Sequence, residues 1–275
     1  MSIQYKWTFS LPDCGHAITS TLLFESNLFA AGNGYVYQLD FLTGQLLAEN
    51  SLSGLGHYEV RLAVSDTLQL IVGTNGFIVG LNATSSPLST IWQTSLPGCG
   101  YNTTSVLVGS GDWNNVGYAA CNGYVYSFNI STGEIQHQNN LAGMGLQETR
   151  LATTPANDNN LSGTYIAEVR LALRQDGGVL FAGTNGFAVG LKASDLTTIY
   201  STTLPDCGYA VTDVVAGNIF TYFACNGYLY NLDELGNVIG HTILPDLGYH
   251  ETRLAISTAG EEHVFAGING YAVGL

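Results

Sequence analysis

The chain has 275 residues, 46% of them hydrophobic and 10% charged, and its 7 basic and 21 acidic side chains leave a net charge of −14. That is a core-forming composition, far from the disordered class. The acidity, with no basic cluster anywhere, argues against nucleic acid and anionic membrane surfaces as partners, and no apolar run approaches the roughly 18 residues that span a bilayer.

The chain opens with MSIQYKWTFS, which lacks the basic start and apolar stretch of a signal peptide. Two readings remain: a cytosolic protein, or a mature secreted chain begun with a start Met. Residues 3–12, IQYKWTFSLP, match 89–97, STIWQTSLP, and 197–205, TTIYSTTLP, with Trp7, Trp92 and Tyr200 in register. Each match runs into a second phrase: PDCGHAITS at 12–20, PGCGYNTTS at 97–105 and PDCGYAVTD at 205–213. Between these copies lies a variant in which the Cys is replaced and a Glu-x-Arg follows: GHYEVRLAV from 56, AEVRLAL from 167 and YHETRLAI from 249.

A third phrase, Asn-Gly-aromatic, occurs six times, beginning at Asn33, Asn75, Asn122, Asn185, Asn226 and Asn269. Asn-Gly between apolar runs is a strong hairpin signal, because a two-residue I′ turn needs positive φ at both positions. A recurrence of about 40–50 residues is the period of propeller blades, each of about four strands. No helical period is sustained. The fifth unit shows the layout: strands at 210–216, 219–225, 228–233 and 238–244.

The fold expected is therefore all-β, a single six-bladed β-propeller domain over 1–275 built as three double blades. The blades fall near 12–52, 53–96, 97–141, 142–204, 205–244 and 245–275, the last completed by 1–11. The chain stops inside the third strand of blade six, so the N-terminal strand supplies its missing outer strand and closes the ring.

YVYQLDFLTGQ (35–45) and YVYSFNISTGE (124–134) resemble the quinoprotein-type, or PQQ-like, propeller repeat. That repeat has an aromatic-aliphatic strand, Leu-Asp, Thr-Gly, and an outer strand ending in Trp. Asp40, Thr43, Gly44, Asn129, Thr132 and Gly133 fit its middle; Trp7, Trp92 and Tyr200 fit its end, but in the alternate blades. The resemblance covers nearly the whole chain at fold level. It implies either a dehydrogenase or a cofactor-free scaffold. The dehydrogenases carry a vicinal Cys pair near the quinone, and no Cys-Cys dipeptide occurs here, so no cofactor is expected.

In such a blade the loop entering the first strand and the turn between the second and third lie at one end. Cys99 should then face Cys121, and Cys207 should face Cys225, while Cys14 faces Gly32. These pairs are either two cross-strand disulfides, which would imply an oxidising compartment, or buried thiols acting as small apolar residues. No cysteine spacing suits zinc, and no metal site is expected.

The residue after the repeated Gly is His16, His57, Tyr101, Leu146, Tyr209 and Tyr249 in turn. Circling the mouth of a central channel, these side chains would make a wall for a small organic ligand; the alternative is packing between blades. Glu59/Arg61, Glu148/Arg150, Glu168/Arg170 and Glu251/Arg253 place a carboxylate and a guanidinium on one face of a strand. They are either structural ion pairs or donors to ligand oxygens oriented by their Glu partners. Blade four is about twenty residues too long for the repeat and contains Glu-x-Arg twice. Residues 147–166 read as an inserted loop able to cover the mouth.

No nucleophile elbow, zincin motif or P-loop is present, and the six His show no metal spacing. Sequons occur at Asn82, Asn102, Asn129 and Asn160. The leading expectation is one small-molecule ligand at the central mouth, with His16, His57, Tyr209, Arg61 and Arg253 as candidate catalytic groups. As an enzyme the chain would be cofactor-free, positioning a reactive substrate for cyclisation, addition or isomerisation. The alternative is a lectin that stacks glycans on Trp7, Trp92 and Tyr200 at three equivalent sites.

Overall fold

Alternating apolar runs separated by Asn-Gly turns fold as antiparallel hairpins. The structure, a computed structural model, describes residues 7–14, 20–24, 27–57, 59–109, 114–141, 149–151, 169–173, 178–208, 212–217, 220–244, 252–257, 263–268 and 271–274. Among them the strands form six sheets that follow chain order, with no α-helix. The first holds β1 (Ser20–Phe24), β2 (Asn27–Gly32), β3 (Tyr35–Asp40) and β4 (Leu46–Asn50). The second holds β5 (Arg61–Val64), β6 (Gln69–Thr74), β7 (Phe77–Asn82) and β8 (Ser89–Ser95). The third holds β9 (Ser105–Val108), β10 (Val116–Cys121), β11 (Tyr124–Asn129) and β12 (Ile135–Asn139).

The fourth sheet has five strands: β13 (Thr149–Leu151), β14 (Val169–Leu173), β15 (Val179–Thr184), β16 (Phe187–Lys192) and β17 (Thr198–Thr203). The fifth holds β18 (Asp213–Ala216), β19 (Thr221–Cys225), β20 (Tyr228–Leu232) and β21 (Val238–Ile243). The sixth holds β22 (Arg253–Ser257), β23 (His263–Ile268) and β24 (Tyr271–Gly274).

The turns have the geometry that the sequence demands. Asn33, Asn75, Asn122, Asn185 and Asn226 sit at φ of 46–52°, each followed by a glycine at 76–81°. An L-residue with a longer side chain would be strained at the first position, and any Cβ at the second. Asn269 lies outside the described residues.

Middle strands are buried because neighbouring sheets pack face to face in chain order. Phe29, Val36, Leu62, Leu70 and Val79 join the first sheet to the second. Ile71, Ile78, Tyr126 and Phe128 join the second to the third. Tyr118, Val125, Leu180 and Val189 continue the series, followed by Phe181, Phe223 and Tyr230, and then by Ala224, Leu254 and Val264. First strands neighbour first strands: β1 lies against β5, β5 against β9, β14 against β18, and β18 against β22. The sheets are thus arrayed radially, with their first strands innermost.

The fourth sheet departs from expectation. Part of the segment read as an inserted loop, Thr149–Leu151, is instead a strand. It runs parallel to β14 with Arg150 opposite Arg170, and it lies beside β9 and β10. The duplicated Thr/Val-Arg-Leu has the same strand-forming pattern as the original, so it adds an inner strand rather than extending a loop. Residues 152–166 lie outside the described residues.

Candidate functional site

In the first, second, third and fifth sheets the entry loop and the Asn-Gly turn meet at one end. Asn33 Nδ2 donates to Asp13 O (2.7 Å), Asn75 Nδ2 to Leu55 O (2.6 Å), Asn122 Nδ2 to Gly98 O (2.7 Å) and Asn226 Nδ2 to Asp206 O (3.2 Å). The amide of the turn glycine is held by the next sheet. Gly76 N donates to Thr104 Oγ1 (2.8 Å), Gly186 N to Thr212 Oγ1 (2.8 Å) and Gly227 N to Thr252 Oγ1 (3.3 Å). A Cβ at Gly34, Gly76 or Gly186 would overlap the carbonyl oxygen of Gly56, Gly100 or Gly208, the glycine of the next entry phrase. Recurrence of both phrases follows from this interlock.

The Pro of the entry phrase has its own role. Tyr37, Tyr126 and Tyr230 on the third strands donate their hydroxyls to Pro12 O, Pro97 O and Pro205 O. Burial raises the pKa of all three, that of Tyr230 to about 12. Cys99–Cys121 and Cys207–Cys225 are disulfide-bonded with Cα–Cα of 5.4 Å, a normal span for a cystine. Cys14 is free and buried, and its thiol donates to Gly32 O at 3.3 Å. Burial pushes that thiol's pKa up, which makes it a poor nucleophile.

Of the expected mouth residues, His57 and Tyr101 are described. Both are exposed at the loop end, Tyr101 by 79%, and His57 Nδ1 lies 3.3 Å from Asn33 O. His16, Tyr209, Tyr249 and Leu146 lie outside the described residues, as do Glu168 and Glu251. Glu59, just before the inner strand β5, and Arg61, its first residue, form a largely buried ion pair, and Thr103 Oγ1 donates to Glu59 Oε2 at 3.4 Å. Arg170 and Arg253 occupy the same strand position as Arg61: Arg61 stands opposite Gly73, Arg170 opposite Gly183 and Arg253 opposite Gly267.

The residues at this position on the alternate sheets were missed by sequence reasoning. They are Ser20 opposite Ala31, Ser105 opposite Ala120, and Asp213 opposite Ala224. Asp213 is 1% exposed; its Oδ1 accepts Val214 N (2.9 Å) and its Oδ2 accepts Leu254 N (2.7 Å) in the next sheet. Ser20 and Ser105 are 1% and 2% exposed, and among the described residues their hydroxyls have no hydrogen-bond partner. Superposing the Cys-Gly phrase on the Glu-x-Arg phrase would have exposed this tier.

The aromatics considered for sugar stacking are engaged elsewhere. The Trp92 ring lies between Gly80 of its own sheet and Gly133 of the next, and Tyr200 lies likewise between Gly190 and Gly236. Trp7 packs on Gly44. Trp92 Nε1 donates to Ile130 O (2.8 Å) and Trp7 Nε1 to Phe41 O (3.1 Å). Trp92 and Tyr200 thus each pack between glycines of two neighbouring sheets. Among the described residues no group of three potential metal ligands converges.

No family model matches the chain, and no curated protein does. Solved structures do. BamB from Moraxella catarrhalis aligns over 98% of this chain and 71% of its own at 15% identity, TM-score 0.62. The computationally designed Ika8 protein aligns over 92% and 69% at 16% identity, TM-score 0.65. Saccharomyces cerevisiae Sqt1 aligns over 91% and 68% at 12% identity, TM-score 0.66. These neighbours, a PQQ-like β-propeller repeat protein, a designed propeller and a WD40 protein, support a β-propeller fold. At such identities the likeness concerns fold alone.

Proposed function

We propose that the chain is a six-bladed propeller, closed by its N-terminal strand, that binds one small organic ligand at the loop end of its axis. Trp7 supports the closure. It packs on Gly44 of the first sheet as Trp92 packs on Gly133 and Tyr200 on Gly236. Trp92 and Tyr200 belong to the outer strands of the second and fourth sheets, and the reading assigns Trp7 the corresponding place in the sixth.

One observation carries the ligand reading: His57 and Tyr101, on entry loops of neighbouring sheets, are both exposed at the loop end. An apolar ring with a polar tip is a suitable wall for an organic ligand. In the enzymatic form of this reading, no cofactor takes part. The imidazole of His57 and the phenol of Tyr101 position a substrate and move a proton during cyclisation, addition or isomerisation. The two disulfides fit an oxidising compartment.

Native mass spectrometry of the protein incubated with an extract of its source tests the reading. The expected result is one bound organic molecule per chain, lost in Tyr101→Ala and His57→Ala with folding unchanged. A chain that remains unloaded, or loading indifferent to both substitutions, overturns it. Up to three glycans per chain would establish the lectin alternative instead.

A further inference from the structure

We propose that the seam between the sixth and first sheets is a latch with an open and a closed state, and that residues 7–10 are the strap that closes it by pairing with β24. The inference rests on the six-bladed reading and adds that closure of the ring is reversible.

Both faces of this seam are exposed where their counterparts elsewhere are packed. Phe265, opposite Gly274, is 47% exposed. Ile71, opposite Gly80, and Phe181, opposite Gly190, hold the same position and are 0% and 1% exposed. Ala255, opposite Phe265, is exposed where Ala63, opposite Ile71, is buried. On the first sheet Phe41, which follows β3, is 37% exposed, against 3% for Ile130, which follows β11. Leu23, three residues beyond Ser20, is exposed, whereas Ala216, three residues beyond Asp213, is buried. Ala63, Ile71 and Ile130 lie in one cluster that joins the second sheet to the third. The same set of positions is open between the sixth and the first.

The strap is half seated. Trp7 rests on Gly44 and donates to Phe41 O, as Trp92 rests on Gly133 and donates to Ile130 O. Trp7, Phe9 and Leu11 pack around Cys14, Ala30, Tyr37 and Leu39, while Thr8 and Ser10 are exposed, the alternation of a strand. The side toward the sixth sheet is not engaged. Trp92 and Tyr200 also cover Gly80 and Gly190, but a Cβ at Gly274 would meet, among the described residues, only the Phe265 ring. Among those residues β24 pairs with β23 alone, and residues 7–10 belong to no strand.

The second sheet supplies the closed register. Gly80 stands opposite Trp92, Val79 opposite Gln93 and Phe77 opposite Ser95, which translates into Gly274 with Trp7, Val273 with Thr8 and Tyr271 with Ser10. Closing buries Phe265, Phe41 and Leu23 and pairs the free edge of β24; it costs the conformational freedom of the strap and of the sixth sheet. Opposed terms of similar size make two accessible states.

The test uses the full chain carrying Thr8→Cys/Val273→Cys, reduced or air-oxidised, with 1-anilinonaphthalene-8-sulfonate as the probe of exposed apolar surface. The expected result is a third disulfide within one chain, located by non-reducing peptide mapping. Dye fluorescence, alike in the parent and the reduced variant, should fall about threefold on oxidation as the seam is covered. Tm should rise, and tryptophan emission should shift to the blue unless Trp7→Phe is present.

A second variant, Phe265→Cys, needs no cross-link. Its thiol should react with Ellman's reagent in the native chain, while the buried Cys14 does not. An inert thiol at 265 would mean a seam that is always closed, which keeps the six-bladed reading and removes the latch. A reactive thiol at 265 with no cross-link at 8 and 273 would mean a strap that never reaches β24, which removes both. A cross-link between two copies, or a locked chain with unchanged dye binding, would also overturn the latch.

Discussion

Asp213 Oδ2 accepts the main-chain N–H of Leu254 at 2.7 Å, tying the innermost strand of the fifth sheet to that of the sixth. Its Oδ1 accepts Val214 N at 2.9 Å. A buried carboxylate is tolerated only when its oxygens are satisfied, and here the backbone does much of that. Asp213→Asn turns one acceptor into an N–H₂ group facing an N–H donor. The expected cost is about 2–3 kcal/mol, read as a lower urea midpoint with an unchanged m-value. A variant as stable as the parent would show that the tie is dispensable.

Trp92 and Gly133 make a second inter-sheet tie, and its weak point is the glycine. Gly133 sits at φ 72°, and a Cβ there would overlap the indole. Gly133→Ala therefore combines left-handed strain with a steric clash, and a loss of about 2–4 kcal/mol is expected. Gly54, also at positive φ but with open space around it, serves as the control. Gly54→Ala should carry the conformational penalty alone, about 1 kcal/mol. Equal losses at the two positions, measured by chemical denaturation, would refute the clash argument.

Much of this architecture was legible in the sequence, for a physical reason. Asn-Gly turns, Cys placement and alternating apolar residues are local signals, and the hairpins they specify are local structures. Cys207 and Cys225 were brought together by counting residues along one hairpin. What sequence reasoning missed depends on relations between sheets. Gly133 reads as an ordinary turn glycine until Trp92, on the preceding sheet, is seen lying on it. Ser20 and Ser105 read as unremarkable strand residues until their burial without partners is known. The second copy of Glu-x-Arg announced an irregularity in the fourth sheet, but not that Thr149–Leu151 would pair parallel with β14.

The three Cys-Gly phrases are equivalent except that Gly32 replaces the cysteine found at 121 and 225. The registers agree: Gly32 stands opposite Tyr35 as Cys121 stands opposite Tyr124 and Cys225 opposite Tyr228. Cys14 already directs its thiol at Gly32. Gly32→Cys should therefore form a third disulfide on air oxidation, seen as a mass two hydrogens lower and no titratable thiol. The loop closed matches that of Cys207–Cys225, with a separation of 18 residues, for which chain-entropy reasoning gives about 3 kcal/mol and engineered bridges often less. A raised Tm that collapses to or below the parent value on reduction is the expected pattern. Persistence of two free thiols would show that the first sheet does not share the geometry of the third and fifth.

Titration should destabilise the fold at both ends of the pH scale, through different groups. Asp233 accepts Asn237 Nδ2, Asn237 N and Leu235 N, and these bonds, the Asn237 side chain first, hold its carboxyl below the ordinary value. Its stabilisation is present above the unfolded pKa near 4 and is lost as pH falls through the lower folded value. At the alkaline end the sign reverses. Burial raises the phenols of Tyr37, Tyr118, Tyr126, Tyr200 and Tyr230, so the folded state favours their neutral form. That stabilisation is complete below the unfolded pKa near 10 and disappears as pH climbs, for Tyr230 through about 12. Tyr230→Phe separates the two contributions of this residue. At neutral pH it leaves Pro205 O without its donor and should cost about 1 kcal/mol. Between pH 10 and 12 it should lose less stability than the parent, because one raised phenol is gone. Urea midpoints across that range, with tyrosinate absorbance recorded alongside, make the measurement. An unchanged alkaline slope in Tyr230→Phe would mean that this phenol ionises in the folded protein as readily as in the unfolded chain.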